Sequence, residues 1–343
     1  MSAGAPPSAV ETAQAFLRQT NRWRLWEVGL WVLAVAMIFL LPSKMLILTE
    51  IAILALFAIS LDLILGYAGI VSLGHTAFFG LGAYAAGLFA RDYFSEPVTG
   101  LVVAGLVSGA FGFVTSFLVL RGSDLTRLMT TFGVAMLLAE IANQATWLTG
   151  GADGLSGVTV TPILGMFEFD LWGRNGYIYA LVVLMVLTYI ARRIVNSPFG
   201  LSLKAIKRNQ RRASMLGISP TRRIVVIYTI SAAYAGIAGA LLTQTTSFVS
   251  PDVLAFHRSA DVLLVLVIGG VGYLYGGVFG AVIFSVLRDW LSVITPQYWM
   301  FWIGLILIII VFVGRERLGR WRTYLPGAAG RLKAKAQAAE DAS

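Results

Sequence analysis

Apolar residues fill this chain in long blocks, and polar residues gather in the short gaps between them. The blocks run over residues 26–41, 46–64, 74–90, 98–120, 128–148, 176–193, 223–247, 258–270, 276–294 and 297–314. Most approach the ~20 residues that a helix needs to cross about 30 Å of hydrocarbon. A membrane β-barrel would instead alternate in segments of about ten residues. The pattern predicts an all-α polytopic membrane protein of about ten transmembrane helices, some short or broken at glycine clusters. Pro42 and Lys44 mark a tight turn behind the first block.

Composition strengthens that reading. Of the 343 residues, 58% are hydrophobic and 13% charged, and the mean hydropathy is +0.80. Soluble domains carry roughly a quarter charged residues, so a soluble fold cannot hide this much apolar surface. There is no cysteine, which excludes disulfides and thiolate metal ligands. The first 20 residues, MSAGAPPSAVETAQAFLRQT, lack the basic start and apolar core of a cleaved signal peptide. The net charge of +9 fits the cytoplasmic side of a membrane protein better than nucleic acid.

The charges also orient the chain. Residues 192–223 hold nine basic side chains and no acidic one: Arg192, Arg193, Lys204, Lys207, Arg208, Arg211, Arg212, Arg222 and Arg223. Seven more lie between Arg315 and Lys335, and the N-terminal arm carries Arg18, Arg22 and Arg24. Loop 149–175 has Asp153, Glu168 and Asp170 against Arg174 alone. The positive-inside rule places the first three regions in the cytoplasm and this loop outside, in the periplasm. An even number of crossings must then separate residue 223 from residue 315. Two helices split at GGVGYLYGG (269–277) satisfy that parity, whereas one long helix over 258–294 does not. The expected divisions are a cytoplasmic arm (1–25), a transmembrane domain (26–314) and a basic cytoplasmic tail (315–343).

Two stretches carry the candidate chemistry. LGYAGIVSLGHTAFFGLGAYAAG, residues 65–87, holds six glycines in 23 positions. Ala83 and Gly87 have the spacing that lets transmembrane helices pack closely, so plain packing is one reading. Gly66, Gly69 and Gly74 surround Tyr67, Ser72 and His75. Irregular backbone at membrane depth survives only where protein or a water-filled cavity satisfies it. A helix break lining or gating a transport path is therefore the other reading, and the one favoured for the six residues Gly66 to His75. Further buried polar candidates are Glu50, Asp62, Glu140, Asn143, Gln144, Gln244, Asp261, Arg288 and Asp289. Asp62 and Glu140 are structural partners or proton carriers on this reading. His75 and His257, the two histidines, are too far apart in sequence to form one metal motif. No G-x-x-x-x-G-K-[ST] loop is present, and no recognisable nucleophile either, so neither catalysis nor a bound cofactor is expected.

The second stretch is NSPFGLSLKAIKRNQRRASMLGISP, 196–220. Ser197 can cap a helix that Pro198 opens, and Gly217 with Pro220 can end it. Phe199, Leu203, Ile206, Gln210, Ala213 and Leu216 form a largely apolar stripe opposite Lys204, Lys207, Arg208 and Arg211. Such a helix either lies on anionic lipid or inserts its apolar face into a groove on a soluble partner.

Taken together, 65–87, LTGGADGLSGV (148–158), residues 196–218 and VIGGVGYLYGGVFGAV (267–282) resemble the LivM-type permease subunits of branched-chain amino-acid ABC importers. The resemblance implies half of a translocation path, paired with a LivH-like permease. It also implies two cytoplasmic ATPase subunits, which bind the ATP, and a periplasmic substrate-binding protein. The cytoplasmic coupling helix of that family maps onto Ser197 to Gly217, with Phe199, Leu203 and Ile206 as the docked face and Arg208, Arg211 and Arg212 as its polar rim. The glutamate-alanine-alanine pattern of many importer permeases falls on Arg211, Arg212 and Ala213, with Gly217 at its spacing, so the acidic position is lost. A second departure is SDLTRLMTTFGVAMLLAE after Gly122. Gly269, Gly270, Gly272, Gly276 and Gly277 are expected to form a helix turn. Branched-chain amino acids are the leading solute, with urea or short amides and aromatic carboxylates as alternatives. A proton-coupled secondary transporter using Asp62, Glu140 or Asp261 is the rival class, and a channel or structural subunit a third.

Overall fold

The structure, a computed structural model, describes residues 25–120, 122, 124–162 and 173–313. The expected N-terminal arm up to Arg24, Arg121, loop residues Glu168 and Asp170, and the basic tail from Arg315 lie outside the described residues. Among the described residues regular structure is helical, apart from one antiparallel bridge between Leu155 and Val249. A helix occupies each of the ten apolar blocks. They are α1 (Leu25–Leu40), α2 (Met45–Asp62), α3 (Thr76–Asp92), α4 (Pro97–Val119), α5 (Asp124–Gln144) and α6 (Arg174–Val195). The basic stretch forms α7 (Pro198–Arg208) and α8 (Gln210–Met215). The last four are α9 (Pro220–Thr246), α10 (Phe256–Gly269), α11 (Gly276–Ile294) and α12 (Trp299–Val313).

Six helical segments are long and apolar enough to cross a membrane: Pro42–Ala68, Pro97–Val119, Asp124–Gln144, Arg174–Val195, Pro220–Thr246 and Gly276–Ile294. α1, α3, α10 and α12, with 16, 17, 14 and 15 residues, fall short by length. The segment 258–294 is split, as parity required. Gly270 and Gly272 turn the chain at φ 105° and 81°, a region that only glycine enters without strain.

Contacts divide the chain into two compact units, residues 1–283 and 284–343. At the centre of the first unit α3, α4 and α9 pack through small residues. The face of Gly82 meets the backbone of Gly236, and Gly239 meets the Phe79 carbonyl. Ser108 donates to the Phe78 carbonyl (3.0 Å) and Thr243 to that of Ala83 (3.0 Å). Lipid tails are as apolar as leucine, so such close approach and interhelical hydrogen bonds, rather than oiliness, hold helices together in a bilayer. Gln244, a candidate polar residue, serves this packing: it donates to the Pro97 carbonyl (2.7 Å) and accepts from Tyr179 (2.9 Å). In the second unit, the described residues are the end of α11, a turn and α12, where Phe301 meets Trp302 edge-on at 5.5 Å.

The loops of the first unit sort to two ends. At one, Leu155 and Val249 exchange backbone hydrogen bonds, Thr161 donates to the Ser95 carbonyl, and Gly173 lies beside Leu46. At the other, α1 begins, with Trp26 edge-on to Tyr275 at 5.1 Å and Glu27 paired to Arg192. The break after α2, the helices α7 and α8, and the 270–275 turn share that second end.

Candidate functional site

The glycine-rich break is built in three steps. α2 widens into a π turn, Leu63–Ala68. Gly69 then stops it at φ 78°, donating to the Ile64 carbonyl. Residues 70–75 run without helix until α3 starts at Thr76. Two N–H groups here are satisfied from elsewhere in the bundle: that of Leu73 reaches Thr131 of α5 (3.3 Å), and that of Thr76, at the start of α3, reaches Ser259 of α10 (3.2 Å). This is the condition under which irregular backbone persists in a membrane.

His75 is fully buried, stacked on Phe57 at 5.6 Å and edge-on to Phe78. Its Nε2 lies 2.9 Å from the Ser60 hydroxyl, whose single proton goes to the Phe57 carbonyl at 2.6 Å. Nδ1 is buried without a hydrogen-bond partner, as is the Ser72 hydroxyl. Gly66, Tyr67, Ser72, Gly74 and His75 are all enclosed by the chain, and Gly69 alone of the six expected residues is exposed. In this conformation the break is a packed joint.

The joint is where the separately expected sites meet. Lys207 of α7 donates to the Gly66 carbonyl at 2.7 Å, and the Lys204 ammonium sits 5.5 Å above the Tyr67 ring. From the other side, the Gly272 N–H donates to Asp62 Oδ1 at 2.7 Å. Asp62 is buried and its Oδ2 has no partner, while the Lys207 ammonium is the cation that acts on it electrostatically. Within the glycine turn, Gly269 packs on Gly276, and Gly277 on Ala58 and Ile59 of α2. Glu140 does not join Asp62; it accepts from Gln144 (2.8 Å) one turn away on α5.

The basic stretch requires a correction. Ser197 caps α7, accepting from the Gly200 N–H (3.4 Å), and Gly217 ends the stretch at φ 80°. Between them one continuous helix was expected, but Asn209 adopts extended backbone, and its side chain caps α8 by accepting from the Arg212 N–H (2.9 Å). The helix restarts in a new register, so the apolar stripe does not run through. Leu203, Ile206 and Ala213 are buried in this chain's own fold (0%, 4% and 2% exposed), while Gln210 and Leu216 are exposed. Phe199 is half-buried under the Arg223 guanidinium, 5.3 Å away. Leu203 and Ile206 therefore cannot form the docked face expected of them, because they already anchor α7 to the bundle. The outward surface is Arg208, Arg211 and Arg212 with Met215 and Leu216, which are 86% and 73% exposed.

Two contacts escaped the sequence. Glu27, an acid within the first apolar block, forms a buried ion pair with Arg192, counted among the basic residues of the inner loop. Lys207 appeared there only as one charge on a basic face.

Comparisons with known proteins follow this geometry. Residues 44–311 match the model of a family described as branched-chain amino acid transport system, permease component. The chain is 29% identical to the high-affinity branched-chain amino acid transport system permease protein LivM of Salmonella typhimurium, over 92% of this chain and 79% of that protein. It is 27% identical to the fructose import permease protein FrcC of Rhizobium meliloti (78% and 76%). It is also 22% identical to the S. typhimurium permease protein LivH (68% and 79%). No solved structure matches.

Proposed function

Because this chain belongs to the family of branched-chain amino acid transport permease components, we propose that it forms one half of the membrane path of an ATP-driven importer. A LivH-like permease supplies the other half. Two ATPase subunits bind at the cytoplasmic end, and a periplasmic binding protein delivers solute at the other. The chain performs no chemistry; it couples by contacting its partners differently in two conformations.

The observation that carries this reading is the outward ridge of α7 and α8. Met215 and Leu216 project among Arg208, Arg211 and Arg212, a pattern suited to an apolar groove rimmed by acidic side chains. Inward, the same element is tied to the break and the glycine turn. Ten crossings with both chain ends inside are supported by helices at all ten blocks. The sorting of the first unit's loops to two ends supports it too, since the basic stretch 192–223 and the loop that begins at residue 149 lie at opposite ones. α3 and α10 cross as short helices because their ends meet irregular buried backbone rather than open lipid.

Branched-chain amino acids are the leading solutes. The similarity to a fructose import permease makes small sugars a second reading, beside the amides and aromatic carboxylates. The test is to purify the chain with its natural neighbours. ATPase subunits should come with it, and the partner binding protein should take up leucine, isoleucine or valine in preference to fructose, urea or benzoate. Proton-driven uptake by this chain alone in liposomes would overturn the importer reading.

A further inference from the structure

We propose that Lys207 is the positioning residue that transmits movement of α7 into the break after α2. It does so by making α7, the end of α2 and the 270–275 turn one rigid body. The inference rests on the importer reading and deepens it.

Most of what holds α7 to the bundle is apolar burial at Leu203 and Ile206. Such attraction is non-directional and lets a helix slide or roll. Lys207 differs. Its ammonium bonds the Gly66 carbonyl at 2.7 Å, and a hydrogen bond from a charged donor is short, strong and directional. Its stem also lies across Gly69, the residue where α2 stops. The carbonyl it holds belongs to the π turn, the one place along α2 where helical bonding is already altered. From the opposite side Asp62 fastens the glycine turn through Gly272. A push on the exposed ridge therefore reaches residues 66–69 through one side chain with a defined register. Irregular backbone at 70–75, which lacks a helical ladder to resist it, takes up the displacement.

The chain contains no cysteine, so the link can be replaced covalently. A Cβ placed on Gly69 lies 3.6 Å from Cβ of Lys207, within the roughly 3.5–4.5 Å that disulfides span; because Gly69 sits at φ 78°, Gly69→Cys alone is the control for the strain a side chain adds there. The full complex is reconstituted in liposomes, with ATP hydrolysis and uptake of radiolabelled L-leucine as readouts. Lys207→Met should leave assembly and basal hydrolysis within about twofold. Leucine-stimulated hydrolysis and uptake should fall about tenfold, the effect of losing one hydrogen bond to a charged group. Lys207→Arg should recover part of the loss. The Gly69→Cys/Lys207→Cys pair should be as deficient as Lys207→Met when reduced and should regain stimulation when oxidised, a response that a merely structural lysine does not produce. Normal uptake by Lys207→Met, or a cysteine pair indifferent to oxidation, overturns the inference and leaves the importer reading standing. Failure of any ATPase to assemble with the unaltered chain overturns both.

Discussion

Glu27 and Arg192 place two full charges inside the end of the bundle that carries α7, both less than a tenth exposed. Breaking such a pair on one side strands a buried charge and costs about 3–5 kcal/mol, whereas replacing both partners with apolar groups is often near neutral. Arg192→Met alone should lower the thermal unfolding midpoint in detergent sharply. Glu27→Leu/Arg192→Met should recover most of the loss, and additive effects would show that the pair is not coupled. Residues acting through their own backbone were readable: Ser197 as a cap, and the glycines at 270 and 272 as a turn, because each effect is complete within a few positions. Lys207 and Gly66 were not, since 141 positions separate them and nothing in the intervening sequence says which basic side chain turns inward.

At the scale of elements, α7 and α8 teach the opposite lesson about periodicity. Apolar spacing over 199–216 was regular enough to suggest one helix with one oily face. Asn209 interrupts it, because its side chain offers the following N–H groups a competing partner. What the interruption changes is which residues face out. Met215→Asp/Leu216→Asp should leave the bundle's unfolding midpoint near that of the parent and abolish ATPase co-purification. Leu203→Asp should instead unfold the chain or cut its yield, because it buries a charge beneath α7. A double Met215/Leu216 variant that still retains its ATPase would remove this ridge from the interface.

For the molecule as a whole, the ten helical positions were legible as apolar blocks, and six helical segments have the length that hydrocarbon thickness sets for a crossing. Their side of the membrane rests on charge and is directly testable in a cysteine-free background. A thiol reagent confined to the periplasm should label Ser156→Cys and spare Met215→Cys in sealed cells, and the reverse pattern would invert the topology. What spacing did not convey was that the start of α3 depends on partners far along the chain. The Thr76 N–H waits for Ser259, 183 positions later, and Leu73 for Thr131. A chain emerging from the ribosome reaches Ser259 only after seven of its ten blocks have been made. Through most of its biogenesis, then, the nascent protein must keep residues 70–75 wet or sheltered by the insertion machinery. The entry of α10 is the step at which that segment can finally dry out.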